Sequence, residues 1–166
     1  DSSILTLAIA ESISENDTLG LIDVSKKQIH VAESYGKVGF GTATKKGFEN
    51  IKRGSSSLAS GMAAGMGNGP TMKMSPIVLY MHATGKHFQG LNFSRLVGAA
   101  THKDERALTS GIVQAHAIYE LLENPSKQDF LESVVEASKL TEKSQEYVEL
   151  ANRGNLTEKL RWVKDN

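Results

Sequence analysis

Apolar residues recur along this chain mostly at the spacing of helix faces, and the alternation of a half-buried strand is scarce, so the pattern predicts an all-α fold. From Ser3 to Ile13 the set Ile4, Leu5, Leu7, Ala8, Ile9 and Ala10 is nearly continuous. That run predicts a buried helix with Asp1, Ser2 or Ser3 as its cap. A second helix is expected after Asn16-Asp17, carrying Leu19, Leu21, Ile22, Val24 and Ile29 and ending near Tyr35-Gly36. Gly39-Phe40-Gly41-Thr42 introduces a third, through Lys45 to Arg53, closed by Gly54. The Ser/Gly/Ala-rich segment from Ser55 to Gly69 has too little bulk to pack as an ordinary helix.

A fourth helix is expected from about Pro70 to Ala83, with Pro76 demanding either a late start or a kink. Phe93 to Ala100 and Asp104 to Leu122 predict two more, the latter stopped by Asn124-Pro125. Ser126 followed by Asp129 resembles a capping pair for a helix through Leu140, and Thr141 to Trp162 is expected to form one or two amphipathic helices interrupted near Gly154. There is no repeat, heptad run or low-complexity linker.

Composition narrows the function more than the fold. A chain of 166 residues is long enough for one domain with its own core, and a formal net charge of zero argues against nucleic acid as a partner. With no cysteine there is no disulfide, thiolate metal site or thiol nucleophile. Asp1-Ser2-Ser3 is not the basic start of a secretory signal, and no apolar run is long enough to span a bilayer. A cytoplasmic protein with no membrane partner is the expectation. The chain lacks an initiating Met, which suggests a processed piece of something longer.

Candidate chemistry concentrates in Gly65-Met66-Gly67-Asn68-Gly69-Pro70, a glycine-dense loop running into a methionine-bearing helix start. Such a loop lets backbone amides converge on phosphate or ribose oxygens, and it also serves as a plain turn; it matches neither a Walker nor a dinucleotide fingerprint. Thr101-His102 lies between two predicted helices. There His102 is suited either to donate to a phosphate or ribose hydroxyl, or to cap the helix or face solvent. Asp1, Ser2 and Ser3 offer oxygen ligands for Mg²⁺ or, equally, an N-cap.

His30, His82, His87 and His116 show no metal spacing. Met62, Met66, Met72, Met74 and Met81 read as fillers of core gaps rather than a partner groove. Lys45-Lys46 and Lys52-Arg53 read as a solvated helix face, although these cations beside Gly-rich loops would also suit a diphosphate.

Taken in order, these segments resemble the ADP-ribosylglycohydrolase family. Asp1-Ser2-Ser3-Ile4-Leu5 is similar to the family's Thr-Asp-Asp-Thr metal stretch leading into an apolar helix. Gly39-Phe40-Gly41-Thr42 resembles its second substrate loop. Gly67-Asn68-Gly69-Pro70-Thr71-Met72-Lys73-Met74-Ser75-Pro76 resembles its Gly-Asn-Gly, Met-Arg, Ala-Pro signature, and Thr101-His102 stands where the family has Thr-His.

The resemblance implies a compact multi-helix orthogonal bundle, here the central part of such a fold as one domain over 1–166, that cleaves ADP-ribose from protein side chains or related acceptors with two Mg²⁺ ions. By position it makes Asp1, Ser2 and Ser3 metal ligands. It places Gly39, Gly41 and Thr42 beside the ribose, Gly65, Met66, Gly67 and Asn68 around the diphosphate, and His102 on phosphate or ribose. The departures lie in the metal shell. Ser2 replaces the second aspartate, the Gly-Asp-Ala-type segment is absent, and no Asp-x-Asp-Thr occurs after Thr101. Mg²⁺ sites depend on carboxylates, so the alternative is a noncatalytic ADP-ribose-binding or structural relative. A midsection without its flanking helices would expose apolar surface, which predicts a homo-oligomer or altered packing.

Overall fold

The computed structural model describes residues 2–35 and 39–142, and their regular structure is helical, as the spacing predicts. In chain order the elements are α1 (Ser2–Asn16), α2 (Leu21–Ser34), α3 (Thr42–Lys52), a 3₁₀ turn (Thr71–Lys73), α4 (Ser75–Thr84), α5 (His87–Ala99), α6 (Glu105–Leu122) and α7 (Lys127–Glu142). No strand occurs among the described residues, only an isolated bridge between Met62 and His102. The helices expected beyond Glu142 lie outside the described residues.

In α1 one stripe is buried: Leu5, Ala8, Ile9, Ser12 and Ile13 recur at helical spacing. The expectation that the whole run would be enclosed is corrected at Leu7, which is 61% exposed. The helix packs on α2, α4 and the 3₁₀ turn, while α6 packs on α4, α5, α7 and the same turn. The main core gathers Ile9, Ile13, Val24, Met74, Ile77, Val78, Met81, Phe93 and Val97. A second cluster, Leu5, Ala32, Phe40 and Phe48, receives Met72 from the turn. Met74 and Met81 thus fill the core as expected, but Met66 is exposed.

Two helix starts differ from the sequence pattern. The single helix predicted from Pro70 is split, because Pro76 has no N–H to give the carbonyl of Met72 and its ring crowds that turn. The α-helix therefore starts at Ser75 with the proline in its first turn, and the freed Met72 carbonyl accepts from the Thr6 hydroxyl at 3.3 Å. Helix α5 starts at His87, six residues before the predicted Phe93, although Gly90 argues locally against helix. Tertiary packing decides: a Cβ on Gly90 would fall 1.8 Å from Met81 Cγ, so only glycine lets α5 lie this close to α4.

The 3₁₀ turn is seated by similar means. Pro70 packs against Gly98 of α5 and Gly111 of α6, and the Thr71 hydroxyl meets that of Ser110 at 2.7 Å. At the other end of the chain Ser126 caps α7 as predicted, its Oγ accepting from the Asp129 amide at 3.1 Å. No helix among the described residues is long and apolar enough to cross a membrane.

A cleft where two loops meet the junction of α5 and α6

The Ser/Gly/Ala-rich segment after α3 is a succession of turns that crosses the end of α5. Hydrogen bonds fasten it there. The Met62 amide donates to the Thr101 carbonyl at 3.0 Å, and the Lys103 amide returns a bond to the Met62 carbonyl at 3.0 Å. Beside them the Ser60 hydroxyl donates to the Ala100 carbonyl at 2.8 Å, and Asn50 Nδ2 donates to the Ser60 carbonyl at 2.8 Å.

Gly61 makes this contact possible, since a Cβ there would lie 2.4 Å from the Ala99 carbonyl oxygen and 2.9 Å from the His102 backbone nitrogen. Those neighbours are main chain and cannot swing aside. Gly61→Ala is expected to destabilise the fold by about 2 kcal/mol through overpacking. Chemical denaturation measures this, and an unchanged midpoint would remove Gly61 from the account.

This fastening encloses a cleft of about 270 Å³, walled by Gly41 to Thr44, Met62, Ala64 to Gly69, Met72 and His102. Gly41, Thr42, Gly65, Met66, Gly67, Asn68 and His102, distant in sequence, are thereby brought together. Gly39 is not in the wall; it turns the chain toward α3 with φ of 81°. Gly41 precedes α3 in extended conformation and no side chain caps that helix, so its first amides have no intrahelical partner, and Gly41 to Thr44 lie in the cleft wall. The exposed cations Lys45, Lys46, Lys52 and Arg53 line no part of this cleft.

His102 is only 3% exposed, which overturns the solvated reading of its side chain. Nor is it the helix cap: Asp104 caps α6, its Oδ1 accepting from the Arg106 amide at 3.0 Å. The imidazole is held at Nδ1 by the Thr101 hydroxyl at 2.8 Å. Gly69 gives it room, for a Cβ there would fall 2.3 Å from His102 Cε1. The loop glycines therefore seat this ring as well as shape the cleft. Burial, and next the charge of Lys73, push the imidazole down to about 4.

Two features escaped the sequence pattern. Lys73 is completely buried, and its Nζ has no hydrogen-bond partner. Its signal was a lysine flanked by methionines in an apolar helix start. Arg106, held by Asp104 at 2.9 and 2.8 Å, lays its guanidinium against the sulfur of Met66 at the cleft rim. Those bonds from Arg106 hold the Asp104 carboxyl below its usual range.

Asp1 lies outside the described residues, and Ser2 and Ser3 are exposed in the first turn of α1. Two hydroxyls do not fit Mg²⁺, which favours carboxylates. Among the described residues no cluster of three His, Cys, Asp or Glu side chains could hold a metal ion.

A larger hollow of about 720 Å³ opens between α5, α6 and α7, but its walls include none of the residues singled out by the loops. The cleft of converging glycines and His102 is the better candidate because backbone amides, a buried imidazole and a helix start meet there.

No curated protein sequence matches the chain. The sequence model of the ADP-ribosylglycohydrolase family, by contrast, matches residues 1–165. With all-α architecture and that match over nearly its whole length, the chain belongs to the ADP-ribosylglycohydrolase family.

Proposed function

We propose that the chain acts as a hydrolase on ADP-ribosylated protein side chains or related acceptors, with the ribose and diphosphate of ADP-ribose entering the Gly41–His102 cleft. The observation that carries this reading is the convergence of Gly41–Thr44, the Ala64–Gly69 loop and His102 on one cavity. Amides at the start of α3 and along the glycine loop suit phosphate oxygens, and a largely neutral His102 suits a hydroxyl or phosphate as a hydrogen-bonding group rather than as a cation. Hydrolysis adds water across the bond from the ribose anomeric carbon to the acceptor: hydroxyl to the sugar, proton to the leaving atom. The described side chains supply binding and orientation, and Ser2 and Ser3 offer no carboxylate for a Mg²⁺ ion that would activate the water.

One observation favours the second reading, a noncatalytic ADP-ribose binder. The described cleft wall carries no carboxylate to act as base or metal ligand. Calorimetric titration with ADP-ribose, in Mg²⁺ and again in EDTA, tests the shared part of both readings. Binding is expected in both buffers, because amides carry it. Absence of binding in either would sink the cleft assignment. Incubation with ADP-ribosyl-arginine and ADP-ribosyl-serine peptides then separates the two: released ADP-ribose supports the hydrolase, and binding without release supports the binder.

A further inference from the structure

Lys73 carries the strongest unexplained feature of the fold. Its side chain is fully enclosed on the 3₁₀ turn that packs between α1 and α6, and its Nζ has no partner. An enclosed ammonium is normally paired. The acidic side chains on the surrounding elements are committed elsewhere. Glu105 is gripped by Arg95 at 2.6 and 2.8 Å, and Asp104 by Arg106 at 2.8 Å. On α1, Glu11 and Glu15 lie 3.6 and 2.6 Å from Lys27, and on α6 Glu120 lies 3.7 Å from His116. The titratable neighbour that feels Lys73 is His102, whose ring closes the cleft wall.

We propose that the positive charge this cleft offers an anionic ligand resides on Lys73, enclosed on the turn whose Met72 lines the cleft wall, while His102 meets the ligand as a neutral hydrogen-bonding group. The proposal deepens the reading above and rests on its cleft; the ligand class is a diphosphate or other dianion. Three observations converge. The ammonium has no counter-ion in a site of low polarity, where its field is weakly screened. The imidazole of His102, pushed down to about 4 by burial and then by the charge of Lys73, carries no charge near neutrality. Burial lowers Lys73 to about 8, within reach of ordinary buffers. A dianion in the cleft stabilises protonated Lys73, so affinity is linked to that proton: full below pH 8, falling above it.

The test is calorimetric titration of the whole chain with ADP-ribose and, separately, inorganic sulfate, both of fixed charge from pH 6 to 9.5. Wild type, Lys73→Met, Lys73→Arg and His102→Gln are compared. Wild-type affinity is expected to hold up to pH 7.5 and fall roughly tenfold by pH 9.5. Lys73→Met is expected to bind roughly tenfold more weakly at pH 7 and to lose the alkaline fall. Lys73→Arg is expected to keep the affinity without the fall, because arginine stays charged. His102→Gln is expected to keep the fall.

Sulfate binding that follows Lys73 in a protein deaf to ADP-ribose would overturn the nucleotide reading and uphold this one. An alkaline fall that persists in Lys73→Met and Lys73→Arg, or wild-type protein that binds neither anion, would overturn the proposal. Should Lys73→Met fail to fold, the loss of the fall in Lys73→Arg decides.

Discussion

Between pH 8 and 10.5 the protein is expected to gain about 3 kcal/mol of stability from Lys73 alone, and Lys73→Met is expected to show that gain already at pH 7. The sign follows from where the proton sits. Burial lowers the folded-state lysine to about 8 from the ordinary 10.5, so between these values the unfolded chain holds a proton that the folded chain has lost. Stability then rises with pH across that window. Below pH 8 the lysine is charged in both states, and the folded state bears the full cost of enclosing it. Methionine has similar length and no charge, so it removes the cost and the slope together. Urea unfolding of both proteins at pH 7, 8.5 and 10 measures the difference, which cancels the surface lysines and tyrosines common to the two. Parallel pH profiles would mean that Lys73 has a counter-ion after all.

The second large effect runs the other way along the pH scale. As pH falls from 6.5 to 4, His102 is expected to withdraw about 3 kcal/mol from the folded state. Its folded-state value is depressed, so the unfolded chain takes up the proton first; the contribution is fully present above pH 6.5 and gone below 4. His116 pulls in the same direction, lowered first by burial and then by His87, with Glu120 opposing. His102→Gln is therefore expected to flatten the acid limb without abolishing it. Unfolding free energies at pH 4.5 and 7 test this, and an equal acid loss in both proteins would show that the imidazole is solvated in the folded state.

The helices that show most plainly in the sequence are those whose burial and backbone chemistry agree. In α1 the buried stripe coincides with the apolar run, and in α6 and α7 the caps Asp104 and Ser126 stand where a polar residue precedes a periodic segment. Disagreement arises where a distant contact outweighs local preference. Gly90 reads as a break, and its reason for being helical is Met81 on another helix. Pro76 announces a disturbance without saying that Thr6 will take the spare carbonyl.

The site divides in the same way. The glycine loop and Thr101-His102 are visible because unusual residue types cluster there, yet that Gly69 serves the imidazole requires the two segments to be in contact. Lys73 was hidden for the opposite reason: a lone lysine in a helix start reads as surface, and only the packing of α1 and α6 around its turn encloses it.

The bridge from Met62 to His102 also carries a consequence for how the protein comes to be folded. Ser60 and Ala100, which bond beside it, are 40 residues apart in the chain, and the segment between them contains all of α4 and α5. Closing so long a loop costs entropy before any contact rewards it, whereas the helices within it form from near neighbours. The walls of the cleft are therefore expected to meet late, after α4 and α5 have settled on each other, and a nascent chain has no complete cleft wall until the residues around His102 have been made.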